Sequence, residues 1–488
     1  MKKFFAVIMT ICLLTSTLCI TAFAEEKPPD PATVLRISAL NKSGTPITIE
    51  DHTNFEVGWE AAIDYAEDDD YMNTNKYERI VVDFFADWKA NDDGEFGSGG
   101  DGFEWNTIHI TEDIRITLNL NDHTINRNLK EWENNGEVIY IDEDADVIIN
   151  KGTITGGWSA NGAGGIHIKD DANVVLDNVN VVGNKVDDDN GAGIAVLDGA
   201  TLTMKGGCVS RNVSYNEVCG GGVYVEEANA FFSNVTFSDN QGMHRSTNGA
   251  AVYVDDGTLV MEECSISGNG LENNSAEKER RVAFSIISLL NGSKATLKNT
   301  TFSENGCGQE TTVSVNSFKY TTVINSVASY LTMEKCSFKA NNQVYLIQSE
   351  ATVLNALDSD FTENNSFAFY GNCASGFNSA FTKCKFDYNE PTLSLEHTFY
   401  FNTSNASLSL VDCQLGKSTF NNKKAVKFVE AGVQNGEGSI FGEGSLTMIV
   451  ALLALIASAV SIFLTVYYNK KKTVPVVANN ATEAERKE

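Results

Sequence analysis

Four consecutive stretches between residues 164 and 269 share one pattern. They read GGIHIKDDANVVLDNVNVVGNK, GAGIAVLDGATLTMKGGCVSRN, GGGVYVEEANAFFSNVTFSDN and GAAVYVDDGTLVMEECSISGN. An Asn near the end of each recurs at 184, 212, 240 and 269, and Gly165, Gly193, Gly222 and Ala251 keep nearly the same interval. Inside a unit, apolar and polar residues alternate over short runs such as Val223-Tyr224-Val225, followed by turns rich in Asp, Glu, Gly or Asn, which is the two-residue period of strands. No strand run is followed by a helical pattern, so βαβ units are excluded. A unit this small cannot bury its own apolar side, whereas stacked units share one core and pair each strand with its equivalent in the next rung.

The predicted fold is therefore all-β, a right-handed parallel β-helix. A sandwich is the competing reading, but it needs hairpin turns, and successive units keep too constant a register for that. Asn184, Asn212, Asn240 and Asn269 are expected to form a ladder, since Asn tolerates a left-handed backbone and bonds its equivalents above and below. Looser copies follow at 297–305, 331–341, 354–364, 381–389 and 408–415, with the charged stretch 271–281 read as a projecting loop, and 114–127 and 138–155 look like earlier rungs. About eleven coils at roughly 4.8 Å each give a stack on the order of 50 Å long.

The ends differ from the middle. Residues 1–24 have the parts of a secretory signal: Lys2 and Lys3, an apolar run from Phe4, and Ala22-Phe23-Ala24 as cleavage site. Residues 446–468 carry no charge and are long enough for a transmembrane helix, followed by Lys470, Lys471 and Lys472 as a cytoplasmic flank. Residues 432–445 read as a Gly-rich linker with no L-P-x-T-G sorting motif, and 469–488 as a cytoplasmic tail. The expected organisation places a small α+β cap at 25–107, in which Trp59, Ile63 and Ala66 share a helical face and Arg79–Phe85 forms a strand, and the β-helix at 108–431. A cap is needed because an open first rung exposes unpaired backbone. The expected location is the cell membrane, single-pass, with the N-terminal part outside.

Charge narrows the partners. The chain carries −29 overall, and no basic patch offsets it, so nucleic acid is excluded as a partner. Of ten cysteines, eight follow the signal: Cys208, Cys219, Cys264, Cys307, Cys336, Cys373, Cys384 and Cys413. Several recur just before an apolar residue and favour buried thiols. The spacing of 11 in Cys208/Cys219 and Cys373/Cys384 argues for bridges instead. Nothing in the sequence fixes an oligomeric state.

Residues 116–129 (ITLNLNDHTINRNL) resemble the L-D-L-N-G-H-T-I-x-R segment of the pectin-lyase-like superfamily of exported bacterial right-handed β-helix proteins. The helix with Trp59, Ala62 and Ala66, the segment 81–88 (VVDFFADW) and the repeats resemble that superfamily too, over most of 55–430, with Asn119 and Asp122 in place of the usual Asp and Gly. The resemblance implies a fold shared by lyases, hydrolases and adhesins. Its galacturonases would carry N-T-D, D-D, G-H-G and R-I-K. Asp170/Asp171, Asp187/Asp188 and Asp255/Asp256 are present, without G-H-G or R-I-K, and Asp at strand ends is ordinarily a turn former.

No catalytic, cofactor or metal site is identified. Asp142–Asp146 and Asp187–Asn190 are oxygen-rich enough for weak calcium binding, without an EF-hand pattern. His123, His167 and His244 show no recognisable partner, and His123 reads as structural. Trp105, Trp132 and Trp158 are the candidate glycan platforms, with packing of the cap onto the first rungs as the alternative. The functional expectation is non-enzymatic binding or adhesion to a glycan or surface ligand. A polysaccharide lyase or glycoside hydrolase is the alternative, and a structural stalk the second.

Overall fold

A computed structural model of the chain describes residues 30–97, 102–216, 219–242, 248–270, 285–306, 322–341, 345–364, 367–371, 377–386, 399–401, 406–416 and 426–435. The expected signal at 1–24, most of the linker, the span at 446–468 and the tail lie outside these residues. Among the described residues no helix is long and apolar enough to cross a membrane.

The cap starts with strand β1 (Leu35–Asn41), which pairs antiparallel with β2 (Pro46–His52) and with β3 (Tyr77–Phe84). Helix α1 (Phe55–Glu67) begins at Asn54, whose side chain accepts from the Val57 N–H, and buries Trp59, Ala62 and Ile63. Side chains three and four apart share a helix face. A one-residue break at Asp68 leads into α2 (Asp69–Asn75). Hairpin β1–β2 and helix α2 are additions to what the sequence suggested for this region.

From β3 onward the rungs pair in parallel, with one antiparallel hairpin, Phe103–Glu104 with Thr107–Ile110, among the described strands. Ile80 faces Ile116, Ile116 faces Val147, and the column continues through Val174, Leu202, Ala230, Leu259, Ala295, Leu331, Leu354, Ser379, Leu408 and Phe428. Thirteen strands thus stack on this face among the described residues, on the order of 58 Å for twelve spacings of roughly 4.8 Å. Parallel pairing begins at Ile80, ahead of the 107/108 division drawn from sequence, so β3 is both the last strand of the cap and the first of the stack. At the other end, Gln434–Asn435 still pairs with Gln414–Gly416, inside the stretch read as linker.

A second rank of short strands lies along the same sheet, with Ile125, Ile154, Val181, Val209, Phe237, Ile266, Phe302 and Phe338 in one inward column. A third rank forms the opposite sheet, from Thr107–Ile110 through Ile139–Ile141, Ile166–Ile168 and Ile194–Val196 to Phe399–Phe401. A fourth, of two-residue strands, runs from Trp158–Ser159 to Gln241–Gly242. The inward residues of the three long ranks form one continuous buried core, the shared interior that no single rung could close.

Corner positions repeatedly carry a residue with positive φ, including Lys151, Asn178, Gly206 and Asn234 at one corner and Asp144, Asp171 and Asp256 at another. Asn184, Asn212, Asn240, Asn269, Asn305, Asn341 and Asn364 are all buried and line one interior edge. Each amide oxygen from Asn212 to Asn364 accepts from both the backbone N–H and the side-chain N–H of the preceding Asn, as at Asn240, whose two donors meet Asn269 Oδ1 at 3.0 Å. The same amides give a second bond to a carbonyl one rung back, such as Asn240 Nδ2 to Val209 O at 2.8 Å. The companion glycines leave room for this. A Cβ on Gly193 would meet Gly222 O at 2.4 Å and the Asn212 amide at 2.9 Å.

Candidate functional site

The outward side of the opposite sheet carries a connected set of ionisable groups near its start. The hairpin Phe103–Glu104/Thr107–Ile110 turns on Trp105 and Asn106, at φ +50° and +62°. That two-residue geometry is normally filled by Asn or Gly, and a bulky side chain there is strained. Trp105 is nevertheless 49 % exposed. Its ring meets Tyr140 edge-on at 5.6 Å, and its carbonyl accepts from Arg127 Nη2 at 3.1 Å.

Register does the rest. Strands 107–110, 139–141 and 166–168 align Ile108 and Ile110 with core residues, so His109, Tyr140 and His167 form the alternate, outward column. His109 and Tyr140 lie 5.0 Å apart, Tyr140 and His167 5.1 Å. Both nitrogens of His109 are engaged: Nε2 is 3.1 Å from Asp142 Oδ1 and Nδ1 is 3.3 Å from Glu104 Oε2. Lys169 Nζ sits 2.8 Å from Asp170 Oδ2 and over the Tyr140 ring.

Burial alone would raise Asp142, but hydrogen bonds from His109, Thr111 and Tyr140 hold its carboxyl below the ordinary value. Burial pushes the Tyr140 hydroxyl up to about 12, with Lys169 opposing and Asp142 adding to the shift. Lys169 loses solvation, yet its bonds to Asp170 and Tyr140 keep its ammonium charged well beyond the usual range. The result is a connected chain of Lys169, Tyr140, Asp142, His109 and Glu104 beside an exposed indole.

Beneath this surface, Arg127 is buried and donates to four carbonyls: Gly94 at 2.5 Å, Glu137 at 2.7 Å, Trp105 at 3.1 Å and Asn135 at 3.3 Å. It ties the cap, the Trp105 turn and the loop carrying Trp132 to one guanidinium. Burial lowers it to about 10, against the pull of Glu137. Glu137 is itself raised by burial to about 7, with Ser159 Oγ at 3.3 Å from its carboxyl. His167 falls to about 4, first through burial and then through Lys169. Its two ring nitrogens are buried with no hydrogen-bond partner.

Trp105 and Trp158 lie on different ranks of strands. Trp132 is 52 % exposed. Trp158 lies in the fourth rank, stacked on Tyr215 at 5.5 Å with Lys185 Nζ 4.1 Å from its ring centre. His123 has a partner that the sequence did not reveal: Nδ1 is 3.3 Å from Asp87 Oδ1, which also accepts from the Thr124 N–H. His244 lies outside the described residues.

The acidic groups disperse. Asp142 serves His109, Glu143 and Asp144 hold positive-φ turn positions, and Asp146 pairs with Arg79 at 2.5 Å. Asp170, Asp171 and Asp256 occupy positive-φ corners, and Asp255 ends a strand. Among the described residues no group of three or more His, Cys, Asp or Glu could hold a metal ion. Sequence reading missed His109, Tyr140, Asp142 as a His partner, and Lys169. The x of an I-x-I strand, His109 in 108–110 and Tyr140 in 139–141, was the only available signal.

A family model described as the right handed beta helix region matches residues 106–277 and again 178–327. No curated protein and no solved structure matches the chain. Successive parallel strands in constant register, together with that match, make this chain a right-handed parallel β-helix repeat protein.

Proposed function

We propose that the protein is exported, anchored by residues 446–468 and displays its β-helix outside the cell as a glycan-binding surface centred on Trp105. The observation that carries this reading is the exposed indole held at positive φ, edge-on to Tyr140, with its carbonyl fixed by a buried Arg127. Strain at a bulky exposed residue persists where the surroundings enforce it, and such places cluster at binding sites. A rigid aromatic beside Glu104, His109, Tyr140 and Asp142 offers a sugar ring a stacking face and hydrogen-bonding groups.

The test is a glycan array probed with the full chain in detergent, alongside Trp105→Ala. Loss of about tenfold or more in affinity for the captured glycan is expected, the scale of a buried aromatic anchor. Undiminished binding would move the site elsewhere. The connected Lys169–Tyr140–Asp142–His109 groups favour a second reading, in which the surface is catalytic. Release of new unsaturated or reducing ends from uronic-acid polymers, with or without calcium, decides for it. A stalk is left if the chain neither binds nor turns over any polymer.

A further inference from the structure

In six rungs, from Cys264 to Cys413, one corner carries a small side chain that donates a hydrogen bond to the backbone. Thr300, Ser359 and the cysteines Cys264, Cys336, Cys384 and Cys413 each donate to the carbonyl two residues back, at 3.1 Å for Thr300, 3.0 Å for Ser359 and 3.4 Å for Cys384 and Cys413. Cys336, Cys384 and Cys413 also reach a carbonyl one rung back: Leu297 O at 3.4 Å, Ala356 O at 3.6 Å and Phe381 O at 3.3 Å. The thiols therefore stand where hydroxyls stand in other rungs.

The bridges Ser337–Asp360, Asp360–Lys385 and Lys385–Gln414 fix the order of this column as Cys336, Ser359, Cys384, Cys413. Cys264 is parted from Cys336 by Thr300. Cys208, on a strand of the large sheet, and Cys219, which precedes a strand of the opposite sheet, do not share a column. Among the described cysteines, only Cys384 and Cys413 occupy the same position in adjacent rungs. Both are buried.

We infer that Cys384 and Cys413 are a rung-to-rung disulfide site, oxidised by a small-molecule disulfide. Equivalent residues of adjacent rungs are roughly 4.8 Å apart, inside the Cα range of natural disulfides, and the link requires the two thiols to turn from their carbonyls toward each other. The interaction between the two thiols lowers Cys413 and, together with burial, holds Cys384 high. After transient opening of the last rungs, the Cys413 thiolate attacks the oxidant and expels one small thiol, leaving a mixed disulfide. Cys384 then attacks Cys413 Sγ and expels the second. Two protein thiols lose two protons and two electrons, and the oxidant becomes two thiols.

The spacing of 11 between Cys373 and Cys384 suggested a different partner, and rung register supplies this one. The link would clamp the end of the stack from which residues 436–488 continue. It stands independently of any glycan.

The full chain is incubated with oxidised glutathione, unfolded in a thiol-alkylating reagent and digested. A peptide joining Cys384 to Cys413, with both protected from alkylation, is the expected result. Cys413→Ser should abolish it and leave Cys336 alkylated as before, and the oxidised wild type should unfold at a higher temperature than the reduced one. Full alkylation of both residues, or Cys384 joined to Cys373 or Cys307, overturns the proposal. The wild-type peptide map decides between these outcomes even if the variant does not fold.

Discussion

The inward column that starts at Ile125 is filled in two ways. In the early rungs it is aliphatic, Ile125, Ile154, Val181 and Val209; from Phe302 to Phe386 it is aromatic. Phe302 stacks on Phe338 at 4.3 Å, Phe338 on Phe361 at 4.8 Å and Phe361 on Phe386 at 5.0 Å, with interplanar angles of 4°, 20° and 5°. The adjacent corner changes with it, from Gly152, Val179 and Gly207 to Thr300, Cys336, Ser359, Cys384 and Cys413. One architecture thus tolerates two packings, because each column needs only a neighbour of compatible shape above and below. The regions also differ on the outside: the described ionisable network involving His109, Tyr140 and Lys169 belongs to the aliphatic end.

The contrast is broken first by truncation. Phe338→Ala, which removes a ring touching two others, should cost about 4 kcal/mol, and Val181→Ala about 2 kcal/mol. Urea unfolding of both variants measures the difference, and equal losses would mean the aromatic stack adds nothing beyond volume. Next comes the Asn ladder, which runs through both regions. Asn240→Ala leaves the Asn212 N–H and Val209 O without their bonds and should cost about 3 kcal/mol. A loss near zero would show that the rungs re-pair around the gap.

The aliphatic end should also respond to pH in a way the aromatic end does not. Glu137 moves from 4.5 unfolded to about 7 folded, so its contribution is present below pH 4.5 and is lost as pH rises toward 7. His167 moves from 6.5 to about 4, so protonation of the unfolded chain removes stability as pH falls from 6.5 toward 4. Between pH 4.5 and 6.5 the two oppose each other. Wild-type stability should vary little there on their account, whereas Glu137→Gln should become more stable with rising pH. A flat profile in the variant would count against His167 as the remaining titrating group.

The smallest effect sits at the site. Trp105→Gly relieves the positive-φ strain and should raise stability by about 1 kcal/mol, while glycan affinity falls. Lower stability would show that the indole contributes more through Tyr140 than it costs in the turn.

The repeat was legible because Asn184, Asn212, Asn240 and Asn269, and Gly165, Gly193 and Gly222, are each needed once per rung, in a place where other side chains lose bonds or collide. The helix around Trp59 and Ile63 and the strand near Arg79–Phe85 were legible from periodicity alone. The chemistry of the surface was not. His109 and Tyr140 lie 31 residues apart and His167 a further 27, and only the pairing of Ile108 with Ile139 and of Ile139 with Ile166 makes them neighbours. The four carbonyls around Arg127 come from three separate loops, and a backbone acceptor has no residue type by which to recognise it. Cys384 and Cys413 likewise differ from the evenly spaced pairs that invited bridging.

The alternation of side chains and the recurrence of one unit already dictated parallel strands around a common interior, since both are local properties of consecutive residues. Which outward groups share a surface depends on rung register, and register depends on loops of unequal length between the strands. That is why a stack could be deduced from the order of residues, while the junction of Trp105, Tyr140 and Lys169 emerged only in three dimensions.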